Sequence, residues 1–182
     1  MEKHPTQVLR DEHQWILAVA DVLSSLLDDP ADRLDYDRIG ECIDFMRLFA
    51  DACHHGKEED HLFTALVEQG MPREQGPIAV MLHEHRLGRE RVSDMASAMP
   101  GARAGDSNDR RRLLQAGRGY VELIRNHILK EDNVLFEMAD EVITGPACAR
   151  LCAAYDGTCD HTFEGRTKEQ LEALGRSLFS SP

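Results

Sequence analysis

The sequence is short of several things, and each shortage excludes something. Only ten of its 182 residues are aromatic, one of them tryptophan. Basic residues number 21 against 33 acidic ones, a net charge of −12. Phosphate backbones and anionic bilayers reward the opposite sign, so neither nucleic acid nor a membrane surface is an expected partner. No apolar run approaches the roughly 20 residues of a membrane span. The opening MEKHPTQVLRDEH has no apolar stretch of the kind an export signal carries. Five cysteines are an odd number without a disulfide framework, which leads us to expect a reducing cytoplasm. Strand-like alternation is missing too. What remains is 42% hydrophobic content, enough for one core, and nine histidines.

Helical periodicity covers four long segments, about Thr6 to Asp28, Tyr36 to Gln69, Pro77 to Met99 and Asp109 to Ile143. Clusters of Gly, Pro and Asp separate them. Pro77 suits a first helical turn, where its missing N–H costs nothing. Residues 146 to 182 predict a short helix, a glycine-containing loop and a last helix opened by a capping box at Thr167 and Gln170. The expected fold is all-α: an up-down-up-down four-helix bundle over 1–145 with a C-terminal helical appendage, 146–182. The second helix would be roughly 50 Å long at about 1.5 Å per residue, so a kink or break near Gly40 or Gly56 is expected.

An internal repeat organises the chain. The second segment reads HHGKEEDHLF from His54 and the fourth reads HILKEDNVLF from His127. Both are His, three residues, Glu, an acid, two residues, Leu-Phe. The first and third segments each carry a Glu-His pair, Glu12-His13 and Glu84-His85. The offsets nearly agree, 127 − 54 = 73 and 85 − 13 = 72. Two helix pairs of one pattern imply an approximate two-fold axis.

Histidine and glutamate four apart share a helix face. Met46, Ala50 and Leu62 make the stripe of His54 and Glu58 apolar, whereas Asp51, Arg47 and Glu59 make that of His55 solvent-like. His54 and Glu58 are therefore expected inside, His55 and Glu59 outside. His127 and Glu131 fall with Tyr120, Leu123, Ile124, Val134, Leu135 and Met138. His13 falls with Leu9, Ile16, Leu17 and Ala20. His85, with Ile78, Met81, Leu82, Gly88 and Val92, is a better inward candidate than His83. The core would then receive His13, His54, Glu58, His85, His127 and Glu131. Buried carboxylates without partners cost several kcal/mol each, and two that face one another also repel. Bound cations resolve this, and no basic residue lies on these stripes. Four imidazoles and two carboxylates without sulfur suit iron, manganese or zinc. The repeat suggests two ions, each with two imidazoles, bridged by the two carboxylates.

The order His, His-x-x-x-Glu, His, His-x-x-x-Glu resembles the hemerythrin superfamily of bacterial histidine–histidine–glutamate domains, over roughly residues 8 to 140. The resemblance implies a non-haem di-iron site in a four-helix bundle that binds O2 or a related diatomic. Bridging would fall to Glu58 and Glu131, and terminal ligation to His13, His54, His85 and His127. Oxygen carriers of the family place two histidines one turn apart on the third helix. Here Met81 and Arg89 flank His85 at that spacing, which leaves four nitrogens instead of five. On that count, open positions on both irons favour a di-iron oxidoreductase, peroxidase-like, NO-consuming or repairing iron centres, as an alternative to binding or sensing. Metal storage or a structural metal is a second alternative.

Other polar residues read more plainly. Tyr120 is expected as a core tyrosine or a donor beside the metals. Glu12 and Glu84 are expected as solvated residues or partners to imidazole N–H groups. Cys148, Cys152, Cys159 and His161 do not have a usual zinc spacing and are expected as small core residues. Cys53 is expected to pack, and His61 to lie near the edge of the site.

Overall fold

A computed structural model gives the fold and describes residues 4–29, 33–159 and 161–180. The described residues are all-helical: six helices, no strand, and one isolated bridge between Phe163 and Arg166. Helix α1 is Pro5–Leu27, α2 spans 36–68, α3 is Gly76–Arg103, α4 spans 107–142, α5 is Pro146–Cys159 and α6 is Lys168–Ser180. None of them is long and apolar enough to cross a membrane.

Local chemistry sets the helix ends. The Asp35 side chain accepts from the Arg38 amide at the start of α2, and Asp106 accepts from the Asn108 and Asp109 amides at the start of α4. Gly105 ends α3 with φ +92°, a conformation in which a Cβ would be strained. Its amide reaches the Ala102 carbonyl, and the Asp106 amide reaches that of Gly101, which satisfies two orphan acceptors at the helix end. The expected capping box is present, with Thr167 N–H to Gln170 Oε1 at 2.9 Å and Gln170 N–H to Thr167 Oγ1 at 3.3 Å. One boundary differs from expectation. Helix α3 does not stop at Met99 but runs through Pro100 to Arg103. Tertiary contacts hold this last turn: Tyr36 donates to the Ala102 carbonyl at 2.9 Å, and Arg103 meets Asp37 at 2.7 Å.

Two helices depart from α winding. Helix α2 widens to π-type, i→i+5 bonding over Met46–His55 and again over Glu58–Leu62, and α4 does so over Glu131–Leu135. Each wide turn sets back the phase of the side chains that follow, so the inner position falls one residue later. Val134 and Met138, expected on the inner face, are therefore exposed, Leu135 is buried as expected, and Phe136 and Ala139 are buried with it. The long second helix does not break at a glycine: Gly56 stays helical, φ −57° and ψ −43°, between the two π-type segments.

Neighbouring long helices run antiparallel. Asp21 meets Arg125 and Asp28 meets Arg118, so α1 opposes α4. Tyr36 reaches Ala102 while Asp51 reaches Arg89, so α2 opposes α3. Helix α3 opposes α4, with Glu84 on Lys130 and Gly88 beside Tyr120. The core divides into two apolar clusters. One includes Ile16, Leu23, Phe45, Phe49, Val92 and Ile124. The other includes Leu9, Leu62, Phe63, Met81, Leu135 and Phe136. On every long helix the histidines and glutamates fall between the two, so a polar layer crosses the interior. The C-terminal helices share these clusters: Leu151 and Tyr155 of α5 join the second, Leu171 and Leu178 of α6 the first.

Helix α6 docks closely. A Cβ on Gly175 would stand 2.8 Å from the Phe45 ring, which is itself stacked on Phe49 at 4.8 Å. Gly175→Ala gains about 1 kcal/mol of helix propensity but overpacks a held ring, at a cost of about 1–3 kcal/mol. Urea unfolding should show a net loss of stability; a gain would mean that α6 packs more loosely than described.

Candidate metal centre

The polar layer is buried. His13, Glu58 and Glu131 are 0% exposed, His54 and His85 1%, and His127 2%. The structure thus brings all six sequence-predicted residues together. It also brings in a seventh. His55, expected on the outer face, is 5% exposed and stacks on His85 with ring centroids 3.8 Å apart. The i, i+4 rule that sent it outward assumes α winding, and His55 ends the π-type segment Met46–His55. Wider winding turns both members of the His54-His55 pair inward. His83 is exposed and bonded to Arg86, so His85 is the third-helix member of the group.

Two sets of donor atoms gather within 4.8 Å: His55, Glu58, His85 and His127, and His13, His54, Glu58 and Glu131. The carboxylates lie between the sets. Glu58 Oε1 is 3.5 Å from His54 Nε2, and Oε2 is 3.4 Å from His85 Nε2. Glu131 Oε2 is 3.4 Å from His13 Nε2 and 3.2 Å from His127 Nε2.

Every one of the five imidazoles has its Nδ1 committed outward to a carboxylate. His13 donates to Asp132 at 2.8 Å, His54 to Glu12 at 3.0 Å, and His55 to Asp51 at 3.3 Å. His85 donates to Glu59 at 2.7 Å and His127 to Glu84 at 3.0 Å. Four of these bonds form a ring around the fold. Each long helix supplies an acid to the histidine of the next: α1 to α2, α2 to α3, α3 to α4, and α4 back to α1. Glu12 and Glu84 thus hold histidines of neighbouring helices, not the ones beside them in sequence. A third layer of cations sits behind the acids. Lys57 and Lys168 reach Glu12, Lys130 reaches Glu84, Arg89 reaches Asp51 and Glu59, and Arg10 reaches Asp132. Lys57 is 0% exposed, and its charge is spent on Glu12 instead of the central glutamates.

With Nδ1 carrying the proton, each neutral ring presents an Nε2 lone pair inward. His85 and His127 meet Nε2 to Nε2 at 3.2 Å, lone pair against lone pair unless a cation or a proton stands between. His13 Nε2, His54 Nε2, His55 Nε2 and all four oxygens of Glu58 and Glu131 are buried without a hydrogen-bond partner. Donors about 2.1 Å from one metal ion and about 90–109° apart stand roughly 3.0–3.4 Å from each other. The distances around Glu58 and Glu131 are of that size. Nitrogen and oxygen donors oriented by outer carboxylates fit first-row divalent metals.

Protons partly take the place of cations in the metal-free cluster. Burial opposes charge on His13, but Asp132 and Glu131 outweigh it and raise it to about 9. Burial likewise opposes charge on His127, and Glu131 and Glu84 raise it to about 10. Burial, with His85 beside it, lowers His55 to about 4. Glu58 is pushed up, by burial first and then by Glu131. Among the outer acids, burial would raise Glu59, but bonds from His85 and Arg89 hold it down at about 2. Metal binding therefore displaces protons held by His13 and His127.

A cavity of about 480 Å³ borders the three-imidazole set and is lined by His55, His85, His127, Gly88, Tyr120 and Ile124, among others. Tyr120, expected in the core, is 2% exposed at its wall. His61 lies outside the cluster and bonds Thr158 at 2.9 Å. Cys53 is buried, and Cys148 donates to the Ile143 carbonyl. Among the described residues Cys148, Cys152 and His161 join no metal-capable group, and the Cys159 side chain lies outside those residues.

An all-α chain with a buried, bilobed cluster of imidazoles and carboxylates defines a class of metal-binding helical proteins. A family model described as the hemerythrin HHE cation-binding domain matches residues 4–139, and the chain belongs to that family. Neither a curated protein nor a solved structure gives a significant match.

Metal should act as a stabiliser here. At free metal 100-fold above Kd the gain is about 2.7 kcal/mol, or roughly 5–10 °C in Tm for a chain of this size. Chelation should reverse the shift. His55→Ala should weaken metal binding at least about tenfold, while His83→Ala leaves it unchanged. Equal titration curves for the two variants would remove His55 from the ligand set.

Proposed function

We propose that the protein holds two iron ions in this layer and binds or senses a small diatomic, O2 or NO. The observation that carries the reading is the set of buried, unpartnered Nε2 and carboxylate atoms aimed at a common interior. The four long helices, antiparallel neighbour to neighbour, are read as an up-down-up-down four-helix bundle with ligands on every helix. Glu58 and Glu131 are assigned as bridges, because each contacts imidazoles of both sets. His55, His85 and His127 would hold one ion, and His13 and His54 the other. Manganese or zinc would suit the same donors, and the family favours iron.

Iron, when bound, supplies the electrons and the ligand position that a diatomic requires. The chain supplies the rest. Outer carboxylates hold each Nδ1 proton, which fixes the rings and raises the basicity of Nε2. The split of five imidazoles into three and two leaves the ion beside His13 and His54 one protein donor short, a coordination position that an external ligand would fill. Phe136 stacks on His13 at 5.4 Å, and Leu9 and Leu62 join it in the apolar wall of that side. Such a wall excludes water and favours small uncharged ligands. The oxidoreductase reading rested on four nitrogens and open positions on both irons. The fifth imidazole removes that support and favours binding over turnover. The excess of acid argues against nucleic acid or membrane as partner, and an odd number of cysteines without a disulfide framework accords with a reducing cytoplasm.

Anaerobic ferrous loading followed by O2 or NO, watched by visible spectroscopy, tests this reading. About two irons per chain and a reversible spectral change are expected. Fewer than about one iron, or no response to either gas, would contradict it. Glu58→Ala or Glu131→Ala should each abolish binuclear loading; two tightly held irons in either variant would refute bridging.

A further inference from the structure

Outside the proposed ligand set, one buried polar atom among the described residues lacks a hydrogen-bond partner: the hydroxyl of Tyr155. Tyr155 lies on α5, beyond the 4–139 span of the family match. It is 2% exposed and belongs to the apolar cluster of Leu9, Leu62, Phe63 and Phe136. Helix α5 packs on α1 and on the Glu58–Leu62 segment of α2. Those helices carry His13 and His54, so α5 covers the two-imidazole side. The 480 Å³ cavity lies elsewhere, lined from α2, α3 and α4.

An orphaned hydroxyl in an apolar setting costs about 1–3 kcal/mol, so it needs an explanation. Burial pushes the Tyr155 hydroxyl far above its ordinary pKa, and the charge of Glu58 is the next contribution. It is therefore a permanent donor. The segment that Glu58 opens packs against α5, yet neither Glu58 oxygen bonds the hydroxyl. An unpartnered donor and an unpartnered carboxyl group are thus buried on segments that pack together. A third participant that accepts a hydrogen bond completes the arrangement.

We infer that the Tyr155 hydroxyl donates a hydrogen bond to the small ligand held on the two-imidazole side, so that α5 supplies a ligand-contacting residue to the centre. The inference rests on the di-metal reading and adds to it the chemistry of the occupant: a compact ligand with an accessible lone pair. The contact is a hydrogen bond from a neutral donor, with no transfer of proton or electron. It would favour ligands on which negative charge accumulates, and would slow their release.

The test uses the full chain, iron-loaded and oxidised, with azide as the probe. Tyr155→Phe keeps the ring and removes the donor. Iron content should stay at about two per chain, while azide binding, followed by absorbance, should weaken about tenfold. The metal-free Tm should be unchanged or raised, since an orphaned hydroxyl is gone. Equal azide affinity in both proteins would overturn the inference, as would a lower metal-free Tm with unaltered azide binding, the signature of a purely structural hydroxyl. If neither protein binds iron, it is the di-metal reading that fails. Iron loading with equal azide affinity removes Tyr155 alone.

Discussion

Two acceptor-only carboxylates, Glu58 and Glu131, lie wholly buried in the same interior layer, and the structure around them depends on how that charge is met. Among the described residues no side-chain ammonium or guanidinium pairs with either one. Each outer acid has a base beside it: Lys57 and Lys168 at Glu12, Arg89 at Asp51 and Glu59, Lys130 at Glu84, and Arg10 at Asp132. The two central charges are left over. Desolvation of an ionised carboxylate costs several kcal/mol, and two in one layer repel. Protons on His13 and His127 relieve this in part, and divalent cations relieve it fully.

The same constraint accounts for the layering. Imidazoles can present lone pairs to a cation only if their other nitrogens are held, so each has an acid behind it. Those acids are partly buried and need bases in turn. Connections between different helices close the sequence of charges into a ring, and helix order and donor geometry become one arrangement. The C-terminal helices are tied into it: Lys168 of α6 reaches Glu12 at 2.8 Å, and Thr158 of α5 meets His61.

Much of this was legible in the sequence. The 72–73 residue repeat marked the ligand-bearing helices, and apolar stripes at α-helical spacing brought six residues of the cluster inside. His55, Val134 and Met138 were misplaced for one physical reason. Their faces were assigned at the α period, and three π-type segments shift it. A doubled histidine that opens a Glu-containing motif was the available signal, since a wide inner face can take both rings. The outer acids were harder to read. Glu59 and Asp132 lie on solvent-like positions of their own helices and gain their role from the helix beside them, and Asp51 gains its role only because the π-type winding turns His55 of its own helix inward. Tyr155 could not be placed from spacing, because α5 is joined to the site by packing alone.

Anomalous diffraction at the iron edge from iron-loaded crystals tests the central claim most directly. The account predicts two peaks about 3.5–4 Å apart, with Glu58 and Glu131 between them, His55 on the first ion and His13 on the second. A single peak, or metal found away from both glutamates, would contradict it.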